Sequence, residues 1–308
     1  MSADPLRTLD LGIRRRIDSL VAGDHEGVRL GVGSEREEVV RYQPGDDVRR
    51  IDWNITARSA DVHVWRPRAD NQLDTWVLLD ESPSMAFGTA SCEKRDLATQ
   101  IVWAVGMLTD APGNRLGLCT FGPDGLRWHR PDRSRLAAHR AVRLPAAGHR
   151  VGAGAPGLDA ALEAFGQRRH RPGLRVVVSD FLDPHGDLHR PFAWEPALRR
   201  LAARHDVIAV EVVDPRELSL PDVGSVLLVD PESGRQRQLW TSDRRLRRRY
   251  ADAAAAHRAE VAAAIRACGA EHLPVSTGRD WVRDLARFVG RRQRTRRTAG
   301  RARGDRRR

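Results

Sequence analysis

The 308-residue chain is almost devoid of lysine: of its 53 basic residues, all but Lys94 are arginine. It has three cysteines and two tyrosines, and no apolar run approaches the ~20 residues that a membrane helix needs. These shortages exclude several classes of protein. Cys92, Cys119 and Cys268 are odd in number, far apart and form no C-x-x-C pair, so they read as reduced packing residues and not as a disulfide framework or zinc site. The histidines include no H-E-x-x-H, which removes a familiar pattern for catalytic zinc. A G-x-x-x-x-G-K-[ST] phosphate loop and a G-x-S-x-G nucleophile elbow are both missing. The N-terminal stretch lacks the apolar core and small-residue cleavage site of a signal peptide, and a cytoplasmic protein is expected.

Charge is plentiful but unevenly spread. The net charge is +12, yet residues 291–308 hold ten arginines and one aspartate, leaving only +3 for the 290 residues before them. A domain built to neutralise phosphates would carry its excess on a folded face, so nucleic acid is not expected as the partner of the body. The 291–308 tail is poor in apolar residues and self-repelling; it is expected to be disordered and to bind anionic polymers only non-specifically. The arginine run at 244–249 reads as the exposed face of a helix.

Three regions follow from patterning. Residues 1–71 read as a small β-rich region with one helix over 9–21. Residues 72–290 alternate short apolar strands (75–80, 115–122, 174–180, 206–214, 271–277) with helical segments (93–109, 133–142, 158–168, 196–204, 243–268, 279–289), and a hairpin strand is expected near 126–129. Runs such as VVV and VIAV, apolar on both faces, require helices on both sides of a parallel strand. The fold class is therefore α/β with a doubly wound, mainly parallel sheet. Strands at 225–230 and 235–240, separated by PESG, predict a hairpin added to one sheet edge.

Two segments carry chemistry. The first is the end of the first strand, VLLDESPSM, where Asp80, Ser82 and Ser84 form D-x-S-x-S. In a doubly wound sheet, ligands gather outside the carboxyl ends of the strands, and two hydroxyls with a carboxylate suit a hard cation such as Mg²⁺. Asp180, in RVVVSDFLD, ends another apolar strand on the same rim. The plainer reading of both sites is a turn or cap leading into the next helix. The second segment is RYQPGDDVRRIDWNITARSADVHV, residues 41–64. Pro44 and Gly45 make a turn; Asp46, Asp47, Arg49, Arg50, Asp52 and Arg58 are dense enough to form a self-neutralising network, with Trp53 as an apolar anchor. A structural clamp is the simplest reading.

A strand-end D-x-S-x-S, a following helix and a later strand ending in Ser-Asp resemble a von Willebrand factor A domain with its metal-ion-dependent adhesion site. The resemblance implies that Ser82 and Ser84 hold the metal directly, and that Asp80 and Asp180 hold it directly or through water. It also implies a threonine just before the helix at 158, where this chain has Pro156 and Gly157, with Asp159 nearby. One ligand is thus missing from the pattern. The 41–64 run, matching at Tyr42, Pro44, Gly45, Asp46, Asp47, Arg49, Ile51, Asp52, Trp53, Ala57 and Arg58, resembles the hallmark of the domain of unknown function 58 family, Y-x-P-G-D-D-x-R-x-I-D-W-x-x-x-A-R. That resemblance implies a non-enzymatic adaptor, with Mg²⁺ as a possible cofactor, working beside a MoxR-type AAA+ ATPase on client proteins. It also implies the soluble branch of a family in which many members carry N-terminal membrane helices. The rival readings are a metal-assisted hydrolase at Asp80 and Asp180, and anionic-polymer binding through the arginine-rich tail.

Overall fold

A computed structural model describes residues 37–44, 47–59, 61–67, 73–111, 113–142, 156–168, 171–182, 188–229 and 234–305. The helix expected over 9–21 and the motif residues Gly45 and Asp46 lie outside the described residues. The first sheet is a pair of antiparallel strands, β1 (Glu37–Arg41) and β2 (His63–Pro67), which flank the hallmark segment.

The main sheet has six strands: β3 (Asp74–Asp80), β4 (Arg115–Gly122), β5 (Gly125–Arg133), β6 (Leu174–Ser179), β7 (Asp206–Val213) and β10 (Glu271–Ser276). Their order is β10-β7-β6-β3-β4-β5, parallel throughout except for β5, which returns antiparallel to β4. Strand alternation divides the core in two. Val77, Leu79, Val176 and Val178 pack on one face against α1 (Lys94–Leu108), α2 (Ser134–Val142) and α6 (Trp281–Asp305). Trp76, Leu78 and Val177 face α3 (Leu158–Gln167), α4 (Glu195–Ala202) and α5 (Arg244–Ala267) on the other. Both faces of each central strand are thus covered, which is why their sequences show runs instead of alternation. Gly117 on β4 is required by this packing, since a Cβ there would lie 2.5 Å from the Trp76 ring.

The helix starts are local. Glu93 and Asp96 form a reciprocal capping box at α1, and the Asp243 side chain caps α5 by accepting from Arg245 N at 2.8 Å. Cys119 and Cys268 are buried free thiols in the second core, as expected of packing residues. Among the described residues no helix is long and apolar enough to cross a membrane.

Two expectations are corrected. The hairpin of β8 (Ser225–Val229) and β9 (Gln236–Trp240) does not extend the main sheet but forms a separate two-stranded sheet. It is anchored through its base: Thr241 N and Oγ1 both donate to Gly224 O, at 2.6 and 2.8 Å, just before α5 begins. The break expected at 290/291 is also absent, because α6 continues as helix through Asp305. Arg292, placed in the disordered tail by its composition, is only 6 % exposed and pairs with Asp206 and Glu271. Its aliphatic stem packs while its guanidinium binds two carboxylates, an arrangement invisible to charge counting. Arg292→Ala is expected to cost about 1–3 kcal/mol, because it removes charge-assisted hydrogen bonds from a buried donor. Truncation after residue 295 should cost little by comparison, and urea denaturation of the two variants separates these outcomes.

Candidate functional site

Strand order places a topological switch point beside β3. The chain crosses from β3 to β4 on one side and later fills β6 on the other, so a crevice opens at the carboxyl ends of β3 and β6. Asp80 is the last residue of β3, and Asp180 directly follows Ser179, the last residue of β6, which brings the two sequence-predicted aspartates to one rim.

Every side chain here has a partner. Asp80 Oδ1 accepts from Ser82 N at 2.8 Å, and its Oδ2 accepts from Ser179 Oγ at 2.6 Å. Ser82 precedes a 3-10 turn, Pro83–Ala86, with proline at its start, and the turn carries Ser84 inward. The Ser82 and Ser84 hydroxyls are 3.0 Å apart, and Ser84 also hydrogen-bonds Asp180. Asp180 Oδ1 accepts from Leu182 N at 3.1 Å. Between them Phe181 takes φ = 56°, unusual for a bulky side chain, held by a hydrogen bond from its N–H to Ser179 Oγ and by edge packing on Trp194. Ser179 is buried and holds two hydrogen bonds, a clasp between strand end and turn and not a hydroxyl aimed at the crevice.

The component that sequence reasoning missed is Lys94. Fully buried at the start of α1, its Nζ donates to Asp180 Oδ2 at 2.7 Å and to Glu217, just beyond β7. The network continues. Arg258 on α5 pairs with Glu217 at 3.8 Å and Glu211 at 3.0 Å, and donates to the Asp180 carbonyl; His272 Nε2 sits 2.7 Å from Glu211. Nearby, Asp214 accepts from Thr89 and Thr277.

Electrostatics follow from this geometry. Burial, reinforced by the Asp180 charge, pushes the Asp80 carboxyl up to about 7 despite hydrogen bonds from Ser179 and Ser82. Burial acts on Asp180 the same way, but the Lys94 ammonium outweighs it and holds that carboxyl below its ordinary range. Lys94 itself is pulled down by burial and raised further by its two carboxylates, so it stays charged.

A bound Mg²⁺ would need several oxygen ligands from this rim. Asp80, Ser82, Ser84 and Asp180 do converge. Against a metal, position 157 is the glycine cap of α3 and offers no side-chain oxygen, and Asp159 is exposed in the first turn of that helix. Asp180 already accepts from a buried ammonium, which would repel a divalent cation at the same carboxylate. Among the described residues no group of three or more His, Cys, Asp or Glu side chains is placed to hold a metal ion. The donor set does not fit the hydrated Mg²⁺ that the resemblance implies.

In the hallmark segment two carboxylates cap turns. Asp47 caps a 3-10 turn at Val48–Arg50 by accepting from Arg49 N, and Asp52 caps a helical turn at Trp53–Thr56 by accepting from Asn54 N and Ile55 N. These carboxylates organise backbone. Tyr42 N and the strand pairing of Ile51 with Val64 tie the segment to β2, with Pro44 in the preceding turn. Arg49, Arg50 and Arg58 are exposed, and Trp53, read as an apolar anchor, is 70 % exposed. The reason is the cap itself: Asp52 fixes Trp53 as the first residue of a single turn, with no second turn to fold over it.

The family described as "Protein of unknown function DUF58" matches residues 38–260. The "Uncharacterized protein Rv1480" of Mycobacterium tuberculosis is 45 % identical over 293 residues, covering 95 % of this chain and 90 % of the relative. A second relative, "Uncharacterized protein MAV169" of Mycobacterium avium, is 47 % identical over 137 residues, 44 % of this chain and 76 % of its own. Among solved structures, BatB of Bacteroides thetaiotaomicron is 11 % identical with a TM-score of 0.40, covering 71 % of this chain and 98 % of its own. The SpRpn10 VWA domain is 16 % identical with a TM-score of 0.35, covering 70 % and 93 %. With a family model matching most of its length and a relative 45 % identical over 90 % of that protein, the chain belongs to the DUF58 family.

Proposed function

We propose that the chain is a protein-interaction adaptor that acts by docking, presenting client proteins to a MoxR-type AAA+ ATPase. The observation that carries this is Trp53. It is part of the family hallmark, yet the fold does not use it for packing: it stands 70 % exposed among the exposed arginines Arg49, Arg50 and Arg58. Tryptophan and arginine dominate the energetics of protein interfaces, so a hallmark residue left outside the core is best explained by a partner that covers it. The strand-end crevice is the second docking face, for the client, with Phe87 exposed just beyond the Ser82–Ser84 turn.

Trp53→Ala is expected to weaken capture of the purified ATPase by about tenfold or more, the effect of losing an interface hot spot. Its thermal midpoint should stay close to that of the unmodified chain, because an exposed side chain adds little to stability. Titration calorimetry with both proteins measures the first and a melting curve the second. Unchanged affinity in Trp53→Ala and in Arg49→Ala would end this assignment of the docking face.

A further inference from the structure

We infer that the Lys94 ammonium is the resident cation of the strand-end crevice, so that this adhesion-type site is complete in charge without a divalent metal. The inference concerns the cation alone and stands whether or not the proposed partner is right.

Three observations lead to it. Lys94 is fully buried and bridges Asp180, just after β6, and Glu217, in the turn after β7, as a bound cation would. An ammonium is a compact point charge with three donors, able to sit among oxygens where a planar guanidinium cannot. In a chain whose every other basic residue is arginine, the one lysine occupies this position. The two hydroxyls are tied into the protein as well: Ser82 and Ser84 bond each other, and Ser84 bonds Asp180. Finally, Pro156 and Gly157 bring no side-chain oxygen to the remaining side of the crevice. A partner carboxylate therefore finds no open metal position here, and recognition at this rim must use the turn itself.

Mn²⁺ serves as the probe, with uptake followed by titration calorimetry and by loss of the free-ion paramagnetic signal. The full chain is expected to take up no stoichiometric Mn²⁺ at millimolar concentration and to melt at the same temperature in Mn²⁺ and in EDTA. Lys94→Ala, which frees the carboxylates of Asp180 and Glu217, is expected to gain Mn²⁺ affinity by about tenfold or more and to melt higher when Mn²⁺ is present. If that variant folds only with Mn²⁺ added, the rescue is the same result. Uptake of one Mn²⁺ per unmodified chain at micromolar concentration, abolished in Ser84→Ala, overturns the inference, and this arm needs no variant of Lys94. Equal Mn²⁺ affinity in Lys94→Ala and the unmodified chain overturns it too.

Discussion

Replacement of Lys94 by methionine is expected to cost about 3–5 kcal/mol of folding stability, the loss typical of breaking a buried ion pair by removing one partner. Methionine has nearly the length of lysine and can fill the space, so the cost is electrostatic. Asp180 and Glu217 would lose their shared cation while the Asp80 carboxyl remains beside Asp180. The double variant Lys94→Met/Asp180→Leu should recover part of the loss, because removing both partners leaves fewer uncompensated charges. Urea denaturation of the two single variants and the double variant measures the coupling. A loss below about 1 kcal/mol in Lys94→Met would mean that the network accommodates its missing charge and is not held by it.

Asp80→Asn should act in the opposite direction and stabilise the protein at neutral and alkaline pH. Burial and the Asp180 charge raise the Asp80 carboxyl from 3.8 to about 7, so ionising it costs folded stability. The folded state binds a proton that the unfolded state has already released, and this contribution is full below 3.8 and lost as pH rises through about 7. Asparagine keeps an oxygen for Ser82 N and turns an amide toward Ser179 Oγ, which can switch from donor to acceptor. The expected gain is on the order of a few kcal/mol at pH 8, vanishing toward pH 4. Asp180 titrates with the opposite sign: its lowered carboxyl contributes stability above the ordinary carboxylate range, which is lost as pH falls through its folded value. The unmodified chain should thus be most stable on the acid side of neutrality. Melting temperature against pH for both proteins checks this, and a destabilised Asp80→Asn at pH 8 would show that the folded state needs the ionised carboxylate.

Much of the scaffold could be read from the chain itself. RLGLCTFG predicted β4 to the residue, and VVV and VIAV announced covered parallel strands, because burial on both faces leaves a continuous apolar signature. The rim was legible for the same reason: Asp80 and Asp180 are the first charges after such runs. Lys94 was not, although its singularity was visible at once, because its partners lie 86 and 123 residues away and only the crossover topology brings them together. Trp53 was misread because an aromatic among charges looks like an anchor, whereas a one-turn helix has no second turn to bury it. Phe181 could not be foreseen at φ = 56°; its strain is sustained by Trp194 and Ser179, contacts that no local pattern encodes.

The anchoring of Arg292 also sets where the basic end of the chain can act. Its partners, Asp206 and Glu271, are the first residues of β7 and β10, so the pin sits at the amino ends of the strands. Asp80, Asp180 and Lys94 gather at the carboxyl ends. The helix runs on for 13 residues past the pin, roughly 20 Å at 1.5 Å per residue. The molecule is thus bipolar: the arginine-rich arm leaves from the pole opposite the crevice. Whatever anionic surface it meets is met from behind, leaving the crevice rim facing away and free.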